Sequence, residues 1–219
     1  MPPLPLLPHR WDVTPDEAIA IQHRLAERVE RTLRLDEVRY IAGIDMSAKD
    51  VARAAVVVLS YPDLETVEIA RAEKPLAMPY VPGLLSFREA PAILAAFEKL
   101  SRWPDLLMFD GQGIAHPRRF GVASHFGVLI GLPTIGCAKS RLIGEFETPA
   151  LPRGSWSPLR HRGETIGAVL RTRDGGNPVF VSPGHLIGLR RAISVVLACA
   201  PRYRLPEPQR RADQLTKSP

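Results

Sequence analysis

The sequence predicts an α/β fold, a mixed sheet whose first three strands run antiparallel and whose two faces are covered by helices. Three observations carry this. Val38–Met46, Ala54–Leu59 and Thr66–Ala72 are strand-like runs joined by turns too short for a crossover, so they form an antiparallel meander. Helical and apolar strand patterns then alternate, which puts helices on both sides of the sheet. The 219 residues are 45% hydrophobic with no Gly/Ser linker or internal repeat, which suits one domain over residues 1–219. Residues 1–10 read as a Pro-rich extension and residues 201–219 as a tail.

The elements follow in order. Thr14-Pro15-Asp16-Glu17 is a helix start, with an N-cap Thr, Pro at the first helical position and Glu three residues after the cap. Ile21, Leu25 and Val29 continue it at four-residue spacing to about Leu33. The meander comes next, turning at Ala48-Lys49-Asp50 and Pro62-Asp63-Leu64-Glu65. A loop stiffened by Pro75, Pro79 and Pro82 leads to a helix over Ser86–Leu100, with Ile93, Leu94 and Phe97 on one face. Leu106–Asp110 is a short apolar run of the kind covered on both faces. A helix over Phe120–Ile130 and a strand at Thr134–Ala138 come after it. Beyond a loop holding Pro149, Pro152 and Pro158, strands at Ile166–Thr172 and Pro178–Val181 precede a helix at Leu186–Cys199. The Pro- and Arg-rich tail has room for one short helix.

Composition narrows the class. Lys and Arg number 29 against 23 Asp and Glu, a net charge of +6 that favours a polyanionic partner such as nucleic acid. The 22 prolines are twice the usual share of roughly 5%, so rigid loops are expected. Cys137 and Cys199 lie in apolar runs and read as buried, reduced thiols, which excludes a disulfide scaffold or a Cys-rich zinc module and fits a cytoplasmic address. The N-terminus has neither a basic region nor a small-residue cleavage site, so it is not a secretory signal. Phe120–Ala138 carries no Asp, Glu, Lys or Arg, but four glycines, His125 and Pro133 break it, so a membrane span is rejected.

Two acids stand at strand ends. Asp45 closes Ile41-Ala42-Gly43-Ile44-Asp45, and Asp110 closes the fourth strand before Gly111-Gln112-Gly113. Each alone reads as the cap of a turn. Together they point to chemistry, because the first and fourth strands can be neighbours and bring both carboxylates to one sheet edge. Glu89 has a structural role of its own, since Ser86-Phe87-Arg88-Glu89 is a capping-box sequence. Its functional alternative is a third carboxylate facing the Asp pair, with Asp213 of the tail able to close the set or to stay in solvent. Such oxygen ligands suit Mg²⁺ or Mn²⁺ and metal-assisted phosphodiester hydrolysis. Lys139, directly after a strand, is either a surface lysine or a fixed positive charge near the phosphate. Other chemistries lack their motifs. Gly111-Gln112-Gly113 misses the third glycine of a dinucleotide loop, and neither a P-loop nor a Gly-x-Ser-x-Gly elbow exists. The six histidines have no metal-ligand spacing, and His116 is the best functional candidate among them by its nearness to Asp110.

Taken together, several segments resemble the endonuclease V family. They are Ile41–Met46, the run from Pro79-Tyr80-Val81-Pro82-Gly83 to Phe87-Arg88-Glu89, Asp110-Gly111-Gln112-Gly113, His116-Pro117-Arg118-Arg119-Phe120-Gly121, Gly136-Cys137-Ala138-Lys139-Ser140 and Leu205-Pro206-Glu207-Pro208. The resemblance spans Trp11 to Lys217 in the family's order. It implies a ribonuclease H-like fold and a Mg²⁺-dependent endonuclease. Such an enzyme recognises deoxyinosine, the product of adenine deamination, and cuts the second phosphodiester bond on its 3′ side.

By the same resemblance Asp45, Glu89 and Asp110 are metal carboxylates and Lys139 their basic catalytic partner, while Asp213 matches a position the family fills with His or Asp. Pro79-Tyr80-Val81-Pro82 resembles the wedge that enters the strand at the lesion, with Val81 in place of the more usual Ile. Unaided, the same loop reads as a proline-stiffened turn whose Tyr80 offers a stacking face. Gly83, Leu85, Gly111, Gly113, His116, Gly121 and Gly136 are the remaining residues the resemblance puts at the nucleic acid. The glycines would let backbone groups approach a flipped base. An inosine-specific endoribonuclease, or a nucleic-acid-binding module without catalysis, is the alternative. The expected partner is DNA containing deoxyinosine, with inosine-containing RNA second, and the protein is expected to act as a monomer.

Overall fold

The computed structural model describes residues 9–32, 37–48, 50–76 and 78–217. Its centre is an eight-stranded sheet of β1 (Tyr40–Ala48), β2 (Ala52–Ser60), β3 (Thr66–Lys74), β4 (Leu106–Phe109), β5 (Thr134–Ala138), β6 (Trp156–His161), β7 (Glu164–Leu170) and β8 (Val179–His185). Their order across the sheet is β3-β2-β1-β4-β5-β8-β7-β6. The first three strands form the expected antiparallel meander, β4 lies parallel to both β1 and β5, and β5 through β6 return to antiparallel pairing.

Among the described residues five helices surround the sheet: α1 (Pro15–Ala26), α2 (Leu85–Phe97), α3 (Val122–Ile130), α4 (Leu189–Ala198) and α5 (Glu207–Lys217). Side-chain alternation along the central strands sorts them into two layers. Ile41, Val57, Leu59, Met108 and Ile135 point into one core with Ile193, Val196 of α4 and Ala212 of α5. Ala42, Ile44, Val56, Val58, Leu107 and Phe109 point into the other, with Ile93 and Phe97 of α2 and Phe126 of α3. These strands are apolar at nearly every position because both faces are covered.

The departures from the sequence reading have local causes. At the start of α1 the capping box forms as predicted, Thr14 N–H donating to Glu17 at 2.8 Å and Glu17 N–H to Thr14 Oγ1 at 3.3 Å. The helix ends at Ala26, short of the expected Leu33, which itself lies outside the described residues. Glu30 explains the early stop: its N–H donates to His185 Nδ1 and its carbonyl accepts from Leu186 N–H, tying the backbone to the end of β8. The turn expected at Ala48-Lys49-Asp50 includes Lys49, which is also outside the described residues. The second capping box does not form. The N-cap of α2 is Leu84 without a side-chain bond, and Ser86 sits inside the helix with its hydroxyl 2.8 Å from His125 Nδ1.

The sequence puts Pro158 in a loop, whereas the structure places it in strand β6. As an edge strand paired to β7 and otherwise bridged at Arg160 to Glu145, β6 tolerates a residue without an N–H. Strand β8 runs on to His185, so α4 begins at Leu189 rather than Leu186. Gly131 ends α3 with φ of 67°, the left-handed C-cap geometry that glycine adopts without strain. The tail forms an 11-residue helix, α5, lying against β1. Gly43 permits that contact, since a Cβ there would stand 1.9 Å from the Pro208 carbonyl oxygen. Both cysteines are buried and free, and burial pushes the Cys199 thiol up to about 12.

Candidate active site at the ends of β1 and β4

Parallel pairing of β1 and β4 sets Ile44 opposite Phe109, so the next residues, Asp45 and Asp110, emerge side by side. The Asp110 N–H extends the ladder by donating to Ile44 O at 3.1 Å. Ile44 and Phe109 both face α2 and α3, so alternation turns the two carboxylates toward the α5 layer. Asp213 reaches them from α5. One carboxylate oxygen from each of Asp45, Asp110 and Asp213 lies within 4.8 Å of the others. Thr216, one turn after Asp213, donates its hydroxyl to Asp45 Oδ2 at 2.5 Å.

Lys139 follows β5 and so arrives at the same edge. Its Nζ lies 2.5 Å from Asp110 Oδ2 and 2.7 Å from Asp213 Oδ1, and Lys217 Nζ holds the other Asp213 oxygen at 2.6 Å. The electrostatics follow from this crowding. Burial raises the Asp45 carboxyl to about 6; the Thr216 hydrogen bond opposes this, while the charges of Asp110 and Asp213 add to it. Burial would lower Lys139, but its bonds to Asp110 and Asp213 outweigh that and hold the ammonium more firmly protonated. Asp213 is pushed up by burial yet ends below the usual carboxylate range because Lys139 and Lys217 both bond to it.

Glu89, on the first turns of α2, stands apart from the three-carboxylate group. It approaches from the opposite layer of the sheet. Its pKa is raised well above the usual range, first by burial and then by the charges of Asp45 and Asp110. With the Ser86 hydroxyl bonded to His125 instead of capping, Glu89 is a partly buried acid that feels the Asp pair.

Beside the carboxylates is a pocket of about 300 Å³ lined by Asp110 and Lys139 themselves. Tyr80, Gly83, Leu85, Gly111, His116 and Gly121 line it too, six of the residues singled out for nucleic acid. Tyr80 is 64% exposed, with the Arg88 guanidinium 6.0 Å from its ring centre. Pro79 and Pro82 are exposed on the same loop, whereas Val81 packs inward against the α1 cluster.

Gly113 and Gly136 lie behind the pocket. A Cβ on Gly113 would stand 2.0 Å from Pro183 O, and one on Gly136 2.4 Å from Gly113 N. The close approach anticipated at these two glycines is therefore to neighbouring protein backbone.

His116 is buried, its Nε2 3.0 Å from the Gly83 carbonyl and its Nδ1 accepting from Arg118 N–H at 3.2 Å. Burial, reinforced by the Arg118 charge, lowers its pKa to about 4, so the ring is neutral near pH 7. Two participants escaped the sequence reading, Thr216 and Gln22. The signal for Gln22 was present: Ala18, Gln22 and Leu25 form the buried stripe of α1, and a glutamine on an apolar stripe demands hydrogen-bond partners.

Strand-end carboxylates, a helix-borne third and a bridging lysine, with Asp110 and Lys139 opening on a base-sized pocket in a basic protein, define a nuclease. Comparison with known proteins narrows the class to a family. Residues 23–214 match the family model for endonuclease V. The chain is 55% identical over 215 residues to endonuclease V of Trichormus variabilis, covering 96% of this chain and 97% of that one. It superposes on the crystal structure of endonuclease V from Streptomyces avermitilis with a TM-score of 0.91 at 45% identity, covering 96% of this chain and 95% of that one. It also matches Ciona intestinalis endonuclease V at a TM-score of 0.79 and 28% identity, covering 92% and 95% of the two chains. That structure is a complex with a 24mer DNA containing an inosine followed by a ribo-adenosine. The chain belongs to the endonuclease V family. Among the described residues no helix is long and apolar enough to cross a membrane.

Proposed function

We propose that the chain is a metal-dependent repair endonuclease that recognises deoxyinosine in DNA and hydrolyses the second phosphodiester bond 3′ to it. One observation carries the reading: Asp110 and Lys139 belong at once to the carboxylate cluster and to the wall of the pocket that Tyr80 overhangs. A base held in that pocket has its backbone beside the acids.

The donor set fits a hard divalent cation, because Asp45, Asp110 and Asp213 offer only carboxylate oxygens. They would hold Mg²⁺, with Mn²⁺ a substitute. When bound, the ion supplies Lewis acidity toward the attacking water and positive charge for the phosphorane oxygens. Glu89, whose carboxyl is raised by burial and by the charges of Asp45 and Asp110, would join the acid set once those charges are offset. Lys139, relieved of part of its pairing, keeps an ammonium near the leaving oxygen. Tyr80 stacks on an unstacked base, and the proline-stiffened loop lowers the entropy lost on insertion. Neutral His116 acts through Gly83 rather than as a charge. The surplus of basic residues serves the phosphate backbone. The buried thiols suit action in the cytoplasm, and the three carboxylates and Lys139 all come from one chain, which supports action as a monomer.

A second reading, an inosine-directed ribonuclease, is favoured by the ribo-adenosine that follows inosine in the Ciona intestinalis complex. The test incubates inosine-containing DNA and RNA strands with Mg²⁺ and maps the product ends. A cut one nucleotide beyond the 3′ neighbouring bond in DNA supports the proposal. A cut confined to RNA supports the second reading, and binding without a cut leaves a module without catalysis.

A further inference from the structure

Helix α1 lies outside the sheet and carries none of the acids, yet one of its side chains reaches the pocket wall. Gln22 is 1% exposed. Its Nε2 donates to Gly83 O at 2.9 Å and to Phe120 O at 3.2 Å, while its Oε1 accepts from Arg118 Nε at 2.5 Å. The amide orientation follows from its partners. Reversed, it would set an oxygen against two carbonyls and an NH₂ against a guanidinium, losing all three bonds.

Gly83 O is the meeting point of more than Gln22. Arg118 Nη2 donates to it at 2.9 Å, and His116 Nε2 lies 3.0 Å away. His116 Nδ1 accepts from the Arg118 N–H, so Nε2 carries the proton and donates. Three side chains from two separate segments thus converge on one carbonyl. That carbonyl belongs to the residue directly after Pro79-Tyr80-Val81-Pro82. Gly83 has φ of +81°, a left-handed conformation, as the third residue of a turn closed by Leu84 N–H donating to Val81 O at 3.0 Å. The same helix grips the loop through apolar contact, with Ala18, Ile19 and Ile21 packed among Val81, Leu84 and Phe87.

Building on the proposed function, we infer that Gln22 is a positioning residue for lesion recognition. It fixes the Gly83 carbonyl and the Arg118 guanidinium in one arrangement, and so sets where the Tyr80 loop stands over the pocket. It touches neither the acids nor Lys139. Its loss should therefore weaken capture of the lesion more than the rate of cutting once the lesion is seated.

The test uses the full chain and two variants, Gln22→Met and Gln22→Glu, with DNA strands carrying either deoxyinosine or deoxyadenosine at one position. Met keeps the length of the side chain and removes all three amide hydrogen bonds. Glu keeps the acceptor for Arg118 and removes the donor to Gly83. The expected result for Met is a KM on the inosine strand raised about tenfold or more, the loss of roughly one hydrogen bond, with kcat within about threefold and affinity for the adenosine strand unchanged. Glu fails in the same way. A KM within about twofold of the parent, or an equal loss of affinity for both strands, overturns the inference. Amide hydrogen exchange gives a reading independent of substrate. Exchange over residues 79–85 should quicken in Gln22→Met while β1 and β4 stay protected, and unchanged exchange there also overturns it. If the parent cuts no inosine strand, the proposed function fails, and the exchange measurement still decides the role of Gln22.

Discussion

The Thr216 hydroxyl donates to Asp45 Oδ2 at 2.5 Å, joining the last turn of α5 to the strand that carries the first acid of the candidate site. Thr216 is 5% exposed, and its Oγ1 also lies 3.1 Å from the Asp213 carbonyl oxygen, so its single proton is shared between two acceptors, with the shorter contact to Asp45. A hydrogen bond to a charged acceptor is worth about 1.5–3 kcal/mol, enough to fix which way a carboxylate points. Thr216→Val keeps the shape and removes the donor. It is expected to lower kcat roughly ten- to a hundredfold with inosine-strand affinity retained. Thr216→Ser should restore most of the rate, which single-turnover cleavage will show.

Asp45 illustrates an acid whose burial opposes stability. Its carboxyl titrates at about 6 in the fold against 3.8 when exposed, so the folded state holds the proton more tightly than the unfolded chain. The cost is absent below about pH 4, grows as the pH rises toward 6, and is complete above that. A shift of about two units corresponds to roughly 3 kcal/mol. Metal-free Asp45→Asn should therefore melt above the parent at pH 7.5, with the gap closing near pH 4. Mg²⁺ should raise the melting temperature of the parent more than that of the variant. Thermal denaturation with and without chelator checks both.

The seat of α5 can be tested from the strand side. A Cβ at Gly43 would meet Pro208 O at 1.9 Å and Gln209 N at 2.8 Å, both backbone atoms that cannot rotate away. Gly43→Ala is expected to lower the melting temperature by roughly 4 °C or more, from an overpacking cost of about 1–3 kcal/mol. It should also cut cleavage by about a hundredfold at temperatures where the variant is folded, because Asp213 and Thr216 ride on the displaced helix. Full activity in a folded variant would show that the position of α5 does not matter.

Tyr80 is the opposite case, a large aromatic with little to do in the free fold. Tyr80→Ala should leave the melting temperature within about 1 °C, as for an exposed substitution. Loss of base stacking, about 1–3 kcal/mol, should weaken binding to the inosine strand by roughly five- to a hundredfold. Equilibrium binding to inosine and adenosine strands measures it.

What the sequence made legible was whatever local pattern decides. The meander, the strand-end positions of Asp45 and Asp110 and their neighbourhood on β1 and β4 follow from alternating apolar runs and short turns, and the register bears them out. Less legible was whatever depends on contacts distant in sequence. Ser86-Phe87-Arg88-Glu89 has the letters of a capping box, but His125 takes the Ser86 hydroxyl and the helix starts a residue earlier. Pro158 hid an edge strand. The sequence leaves Asp213 free either to close the acid set or to lie in solvent, because nothing near it reveals that Gly43, 170 positions earlier, leaves room for its helix. Gln22 and Thr216 have no motif at all, and only their buried partners disclose them.

The central claim is that Asp110 and its neighbours perform the cut while the pocket performs recognition. The most direct measurement is single-turnover cleavage of an end-labelled deoxyinosine strand in Mg²⁺ by the parent and by Asp110→Asn, with strand affinity recorded for both. The account predicts a single product ending at the second phosphodiester bond 3′ to inosine for the parent. It predicts no product from the variant, whose affinity for the inosine strand is largely intact. Equal cutting by Asp110→Asn, or a parent that cuts inosine and adenosine strands alike, would contradict it.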